Sequence, residues 1–139
     1  MQDRPTATEL LSAIADLLEN DLLPALPASL QHRARVAGNL ARIIERESQL
    51  GVRLLLEERD LLLGLLAQSP QHLLPGALAE QVADLNQQLA DELQQPPTAA
   101  RAAAVWDALF TIARGKLAIT KPGYDAYDGR AELPWANAR

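Results

Sequence analysis

The chain has no cysteine, which excludes thiol nucleophiles, disulfide staples and thiolate metal ligands together. Aromatic residues number five, all of them after position 105, so the core cannot be built from large rings. Val, Ile and Thr total 14 in 139 residues, too few to furnish a sheet. The longest apolar runs, such as Leu61-Leu62-Leu63, fall far short of the ~18–20 residues needed to span a bilayer. The start lacks a cationic stretch followed by an apolar one, so no signal peptide and a cytoplasmic location are expected.

Leu (27) and Ala (25) fill the space these absences leave, and both are strong helix formers. An all-α, single-domain bundle of four or five helices with short loops is expected over residues 1–123, followed by a C-terminal tail over 124–139. The net charge of −5 argues against a general nucleic-acid partner, and nothing suggests a membrane one. Its distribution is uneven, because no basic residue lies between Arg59 and Arg101. Basic and acidic faces favour a charged partner, against the plainer reading of solvated helix faces.

Thr6 and Glu9 have capping-box spacing, and Leu10, Leu11, Ile14, Leu17, Leu18 and Leu22 then predict one buried face, ended by Pro24 and Pro27. Ser29 should cap a second helix reaching Leu50, with Gly51 as its stop. On it Val36, Ala37, Leu40, Ala41, Ile43 and Ile44 form an apolar half expected to face the core. Arg33 and Glu47 also fall within that half, one near each end, and each needs a partner or a route to water. A third helix is expected over 52–68, and a fourth with Pro75 in its first turn and Leu74, Leu78, Val82, Leu85, Leu89 and Leu93 inward. A fifth should start at the Thr98 cap, turn Val105, Trp106, Leu109, Phe110, Ile112, Ala113 and Leu117 inward, and stop at Pro122-Gly123.

Catalytic patterns are missing. The seven glycines are scattered, so no phosphate loop forms, and His32 and His72 sit neither one turn apart nor three residues after a Glu. No catalytic residue, metal or cofactor is expected. The best candidate surface is the ridge His32, Arg35, Asn39, Arg42 and Arg46, whose three- and four-residue spacing aligns side chains that suit phosphates or carboxylates. Its plainer reading is a solvated face, or one packed on the acidic first helix. A second candidate is the end of the fifth helix, with Lys116, Lys121 and Tyr124, although cations there also complement the helix dipole. Trp135 in the tail either tucks back or binds something.

Three segments carry a resemblance: Gln-Asp-Arg-Pro-Thr-Ala-x-Glu-Leu-Leu (2–11), Arg35-Val36-Ala37-x-Asn39 with Arg46-Glu47, and Lys116-Leu117-Ala118-Ile119 with Pro122 and Tyr124. In this order and spacing the chain, over about residues 2–124, resembles a bacterial family of small helical proteins classed as a domain of unknown function. Such proteins are typically encoded beside an aminoglycoside-phosphotransferase-like kinase and an acyl-CoA dehydrogenase. The resemblance implies a non-catalytic accessory role, as for the small subunit of the 4-hydroxyacyl-CoA kinase of levulinate catabolism. Its implied partner is the kinase subunit, with a CoA thioester at the shared interface as a further candidate; self-association is a candidate apart from the resemblance. It transfers no catalytic residue. The alternative is a stand-alone helical module that binds acyl-CoA or another anionic ligand.

Overall fold

The computed structural model describes residues 4–70 and 76–124. The protein is all-α, as its composition requires. Its elements are α1 (Ala7–Asp16), a π-helical stretch (Leu17–Leu22), the single turn α2 (Leu23–Ala25), α3 (Ala28–Leu65), α4 (Leu78–Glu92) and α5 (Ala99–Thr120). Two compact units divide the chain, residues 1–53 and 54–139, and α3 contributes to both.

In the first unit the capping box forms as expected. Thr6 Oγ1 accepts from the Glu9 amide at 3.2 Å, and the Glu9 carboxylate accepts from the Thr6 amide at 2.7 Å. Pro24 does not end the helical path. An α-helical Pro24 ring would strike the carbonyl four residues back, whereas the π-helical stretch just before it bonds five back, as in the Leu23 amide to the Leu18 carbonyl. The path stops where Leu26, preceding Pro27, turns extended.

Ser29 is not a cap, because α3 already begins at Ala28, and Gly51 is not a stop. The 38-residue helix runs through both expected boundaries. A glycine stops a helix by taking positive φ, which Gly51 does not. Its cost of about 1 kcal/mol relative to Ala is small beside the helix-forming Leu, Glu and Arg residues that follow.

The second unit is a small bundle of residues 54–65 with α4 and α5. Its core is Leu62, Leu63, Val82, Leu85, Leu89 and Val105, with Leu55, Leu78, Leu93 and Ile112 packed against it. The α4 stripe is buried as its spacing predicts, while Leu74 and Pro75 lie outside the described residues. Thr98 caps α5 through the Arg101 amide at 3.3 Å, and α5 ends before Pro122-Gly123 as expected. The Arg101 guanidinium donates to the Leu65 carbonyl at 2.7 Å and pairs with Glu92, so it caps the C-terminal end of α3.

The rotation of α5 differs from expectation. Val105, Ala108 and Ile119 are buried, whereas Trp106 and Leu109 are exposed. An Ala-rich helix has little contrast between its faces, so close approach decides which side packs. A Cβ on Gly115 would lie 3.0 Å from Leu54 Cδ2. Past α3, Ala67 takes φ +52°, with Gln68 N–H donating to the Leu63 carbonyl and Ala67 N–H to the Gly64 carbonyl. This is a Schellman stop with alanine where glycine is usual.

Two opposite exchanges should therefore both stabilise the protein. Gly51→Ala adds about 0.5–1 kcal/mol, because only the flexible end of Glu47 must move to admit a Cβ. Ala67→Gly relieves left-handed strain and adds up to ~1 kcal/mol. Urea midpoints of the two variants check both signs.

Candidate functional site

The residues of the helix-two ridge all lie on α3, and the structure separates them into two groups. His32, Arg35 and Asn39 are exposed, and Arg35 donates to the Gln31 side-chain oxygen at a long 3.5 Å. Arg42 and Arg46 are half-buried. Arg42 is bound within the first unit: its guanidinium pairs with Asp16, with Glu19 at 3.1 Å and with Glu45 at 3.2 Å, and it donates to Ser12 Oγ at 3.2 Å. Hydrogen bonds to Asp16 first, then Glu19 and Glu45, raise its pKa still further above the ordinary arginine range. The guanidinium therefore stays charged at any pH at which the protein folds, and its fork is occupied by the chain's own carboxylates. Packing on the acidic first helix, one of the two plain readings of this ridge, describes Arg42.

The same arrangement fixes which face of α3 packs. Ala34, Gly38 and Ala41 are buried beside Arg42, and a Cβ on Gly38 would come within 3.1 Å of Glu19 Cγ. At 100° per residue these positions centre about 130° around the helix from the centre of the Val36, Leu40 and Ile44 set. Those three are exposed by 44, 53 and 53%. The expectation that the broad apolar half of this helix faces the core is thus overturned for Val36, Ala37, Leu40 and Ile44, whereas Ala41 of the same half is buried and Ile43 half-buried. On α1 and the π-helical stretch, Leu10, Ile14, Leu17 and Leu22 are likewise exposed, while Ala15 is buried. Sequence reasoning missed these outward apolar side chains; the signal available was the Ala34, Gly38, Ala41 run of small residues.

In the second unit Lys116 is held by a buried carboxylate. Its Nζ lies 2.9 Å from Oε1 of Glu58, whose residue is only 5% exposed, and the Asn86 amide donates to the same oxygen at 3.0 Å. Asn86 in turn donates to the Val82 carbonyl. The Glu58 charge is thus paired and hydrogen-bonded, as a buried charge must be. Lys121 Nζ stands 5.1 Å from the Tyr124 ring centroid, a cation–π contact on an exposed turn. Trp106 and Phe110 stack at 6.5 Å, with the Arg114 guanidinium 5.8 Å from the Phe110 centroid. Trp135 lies outside the described residues, as do His72 and Tyr127.

A groove of about 340 Å³ is lined by Asp60, Leu61, Gly64, Ala104, Asp107 and Thr111, and neither His nor a convergent acid–base pair enters it. Among the described residues no group of three or more His, Cys, Asp or Glu is arranged to hold a metal ion, and no helix is long and apolar enough to cross a membrane.

A family model described as a domain of unknown function (DUF6285) matches residues 24–124. The chain belongs to the DUF6285 family. No curated protein and no solved structure matches it. The match covers α3, α4 and α5 of this DUF6285 protein, together with both basic candidates on α3 and at the end of α5. The 2–11 signature lies before it, as do Ser12, Asp16 and Glu19, the α1-side partners of Arg42.

The two lysines at the end of α5 should behave differently. Lys116→Met leaves Glu58 buried with Asn86 alone and should cost about 1–2 kcal/mol, below the usual figure for a buried pair because the ammonium itself reaches water. Lys121→Ala should change stability by less than ~0.5 kcal/mol. Chemical denaturation of both variants reads the contrast.

Proposed function

We propose that this DUF6285 protein is a non-catalytic accessory subunit of a cytoplasmic aminoglycoside-phosphotransferase-like kinase that phosphorylates 4-hydroxyacyl-CoA. The identity of the kinase rests on the resemblance carried by the 2–11, 35–47 and 116–124 motifs. From the structure, the observation that supports a subunit role best is the outward set Leu10, Ile14, Leu17 and Leu22. Large apolar side chains gathered on one exposed helical stretch mark a contact surface more often than a solvent face. The side chains with most chemical potential, Arg42 and Lys116, are engaged in pairs within the chain. The kinase brings the phosphotransfer machinery, and this chain brings surface.

Co-expression with a phosphotransferase-like kinase from the same genome tests the reading. The two chains should co-elute, and ATP consumption with a 4-hydroxyacyl-CoA should require both. A kinase that is soluble and fully active alone refutes it.

The stand-alone binding module draws on the exposed His32, Arg35 and Asn39. It requires saturable binding of CoA by the isolated protein, weakened by Arg35→Ala, and a flat calorimetric titration at low salt eliminates it.

A further inference from the structure

We infer that the Val36, Leu40, Ile44 face of α3 is a homodimer interface, on which two copies pack antiparallel about a two-fold axis through Leu40. This goes beyond the kinase reading and does not depend on it. Three exposed aliphatic side chains at four-residue spacing form a stripe along α3, and water is a poor neighbour for it. What selects a second copy as its occupant is the arrangement of the residues around Leu40. Val36 lies four residues before it and Ile44 four residues after. Arg33 lies seven before and Glu47 seven after, and both are exposed. With 100° per residue, Arg33 and Glu47 sit 20° to either side of Leu40 on the helix circumference, and Val36 and Ile44 sit 40° to either side.

A two-fold axis perpendicular to the helix pairs each position before Leu40 with the equivalent position after it on the other copy. Leu40 then meets Leu40, Val36 meets Ile44, and Arg33 meets Glu47 at both ends of a contact about 21 Å long. Every pairing is apolar with apolar or cation with anion. A parallel in-register pairing instead sets Arg33 against Arg33 and Glu47 against Glu47, which like-charge repulsion opposes. An unrelated partner has no reason to mirror this pattern, whereas a copy of the same helix mirrors it necessarily. The two charges that interrupt the apolar face thereby gain a role: they set direction and register, as flanking charges do in helix pairs.

Sedimentation velocity of the full chain over a concentration series is the test. The wild type should reach twice its 15.1 kDa chain mass. Leu40→Glu should remain monomeric with unchanged helical circular dichroism, since Leu40 is exposed within the single chain. Arg33→Glu and Glu47→Arg should each weaken the dimer by about tenfold or more, because each places like charges together at both ends. The double exchange Arg33→Glu/Glu47→Arg should restore dissociation to within about threefold of wild type. A wild type that stays monomeric at the highest concentration overturns the proposal, as does a dimer indifferent to Leu40→Glu or a double exchange that fails to recover. If the wild type is monomeric and Leu40→Glu instead abolishes co-elution with the kinase, the face belongs to the kinase and the proposal is wrong.

Discussion

A helix has one circumference, and in the first unit Arg42 decides how that of α3 is used. One guanidinium gathers Asp16 and Ser12 from α1, Glu19 from the π-helical stretch and Glu45 from its own helix. Reaching those partners demands that α3 turn the Arg42 side toward α1, and the neighbouring positions on that side are Ala34, Gly38 and Ala41. Small residues allow the approach, and Gly38 leaves the room that the Glu19 side chain occupies. With that side committed, Val36, Leu40 and Ile44 are left exposed. The outward stripe, and with it the case for a partner on α3, follows from where a polar clasp sits.

The second unit resolves a similar competition with a buried carboxylate. Glu58 falls on a helix otherwise lined with leucine, and it is tolerated because Asn86 from α4 and Lys116 from α5 both donate to it. This ties all three helical segments of the unit to one oxygen, while Leu62, Leu63, Val82, Leu85 and Leu89 supply the bulk of the burial. A buried charge met from two other helices specifies their register more sharply than leucine packing alone, which tolerates sliding. Lys116 therefore reads as an architectural cation first, although its position near the end of α5 made it an attractive ligand for something external.

Local signals were legible in the sequence. The Thr6–Glu9 box, the Thr98 cap, the Pro122-Gly123 stop and the Leu stripe of α4 all appear where their residues put them, because each depends on neighbours within a few positions. The rest required tertiary information. Gly51 looks like a stop, but the segment beyond it keeps helical φ and the helix continues. The π-helical accommodation of Pro24 depends on hydrogen bonds redirected by one residue, which no hydrophobic period reports. Periodicity correctly grouped Val36, Leu40 and Ile44 on one side of α3 and Arg42 on another. It could not say which side is packed, because the partners that hold Arg42 against α1, Asp16 and Glu19, lie 26 and 23 residues away in sequence. On α5, where apolar residues surround the axis, even the grouping lacked contrast. The candidate site shared this fate: the ridge is real as a row of positions, but its central arginine belongs to the fold.

The absence of cysteine makes the decisive position directly measurable. Leu40→Cys and Ala41→Cys each introduce the sole thiol of the chain, 100° apart on α3. Mild oxidation followed by non-reducing electrophoresis reads which of them meets its own copy. Burial of the Arg42 side and a two-fold axis at Leu40 predict rapid covalent dimer from Leu40→Cys and little from Ala41→Cys. Cross-linking of Ala41→Cys in preference to Leu40→Cys would contradict both the orientation of α3 and the surface assigned to it.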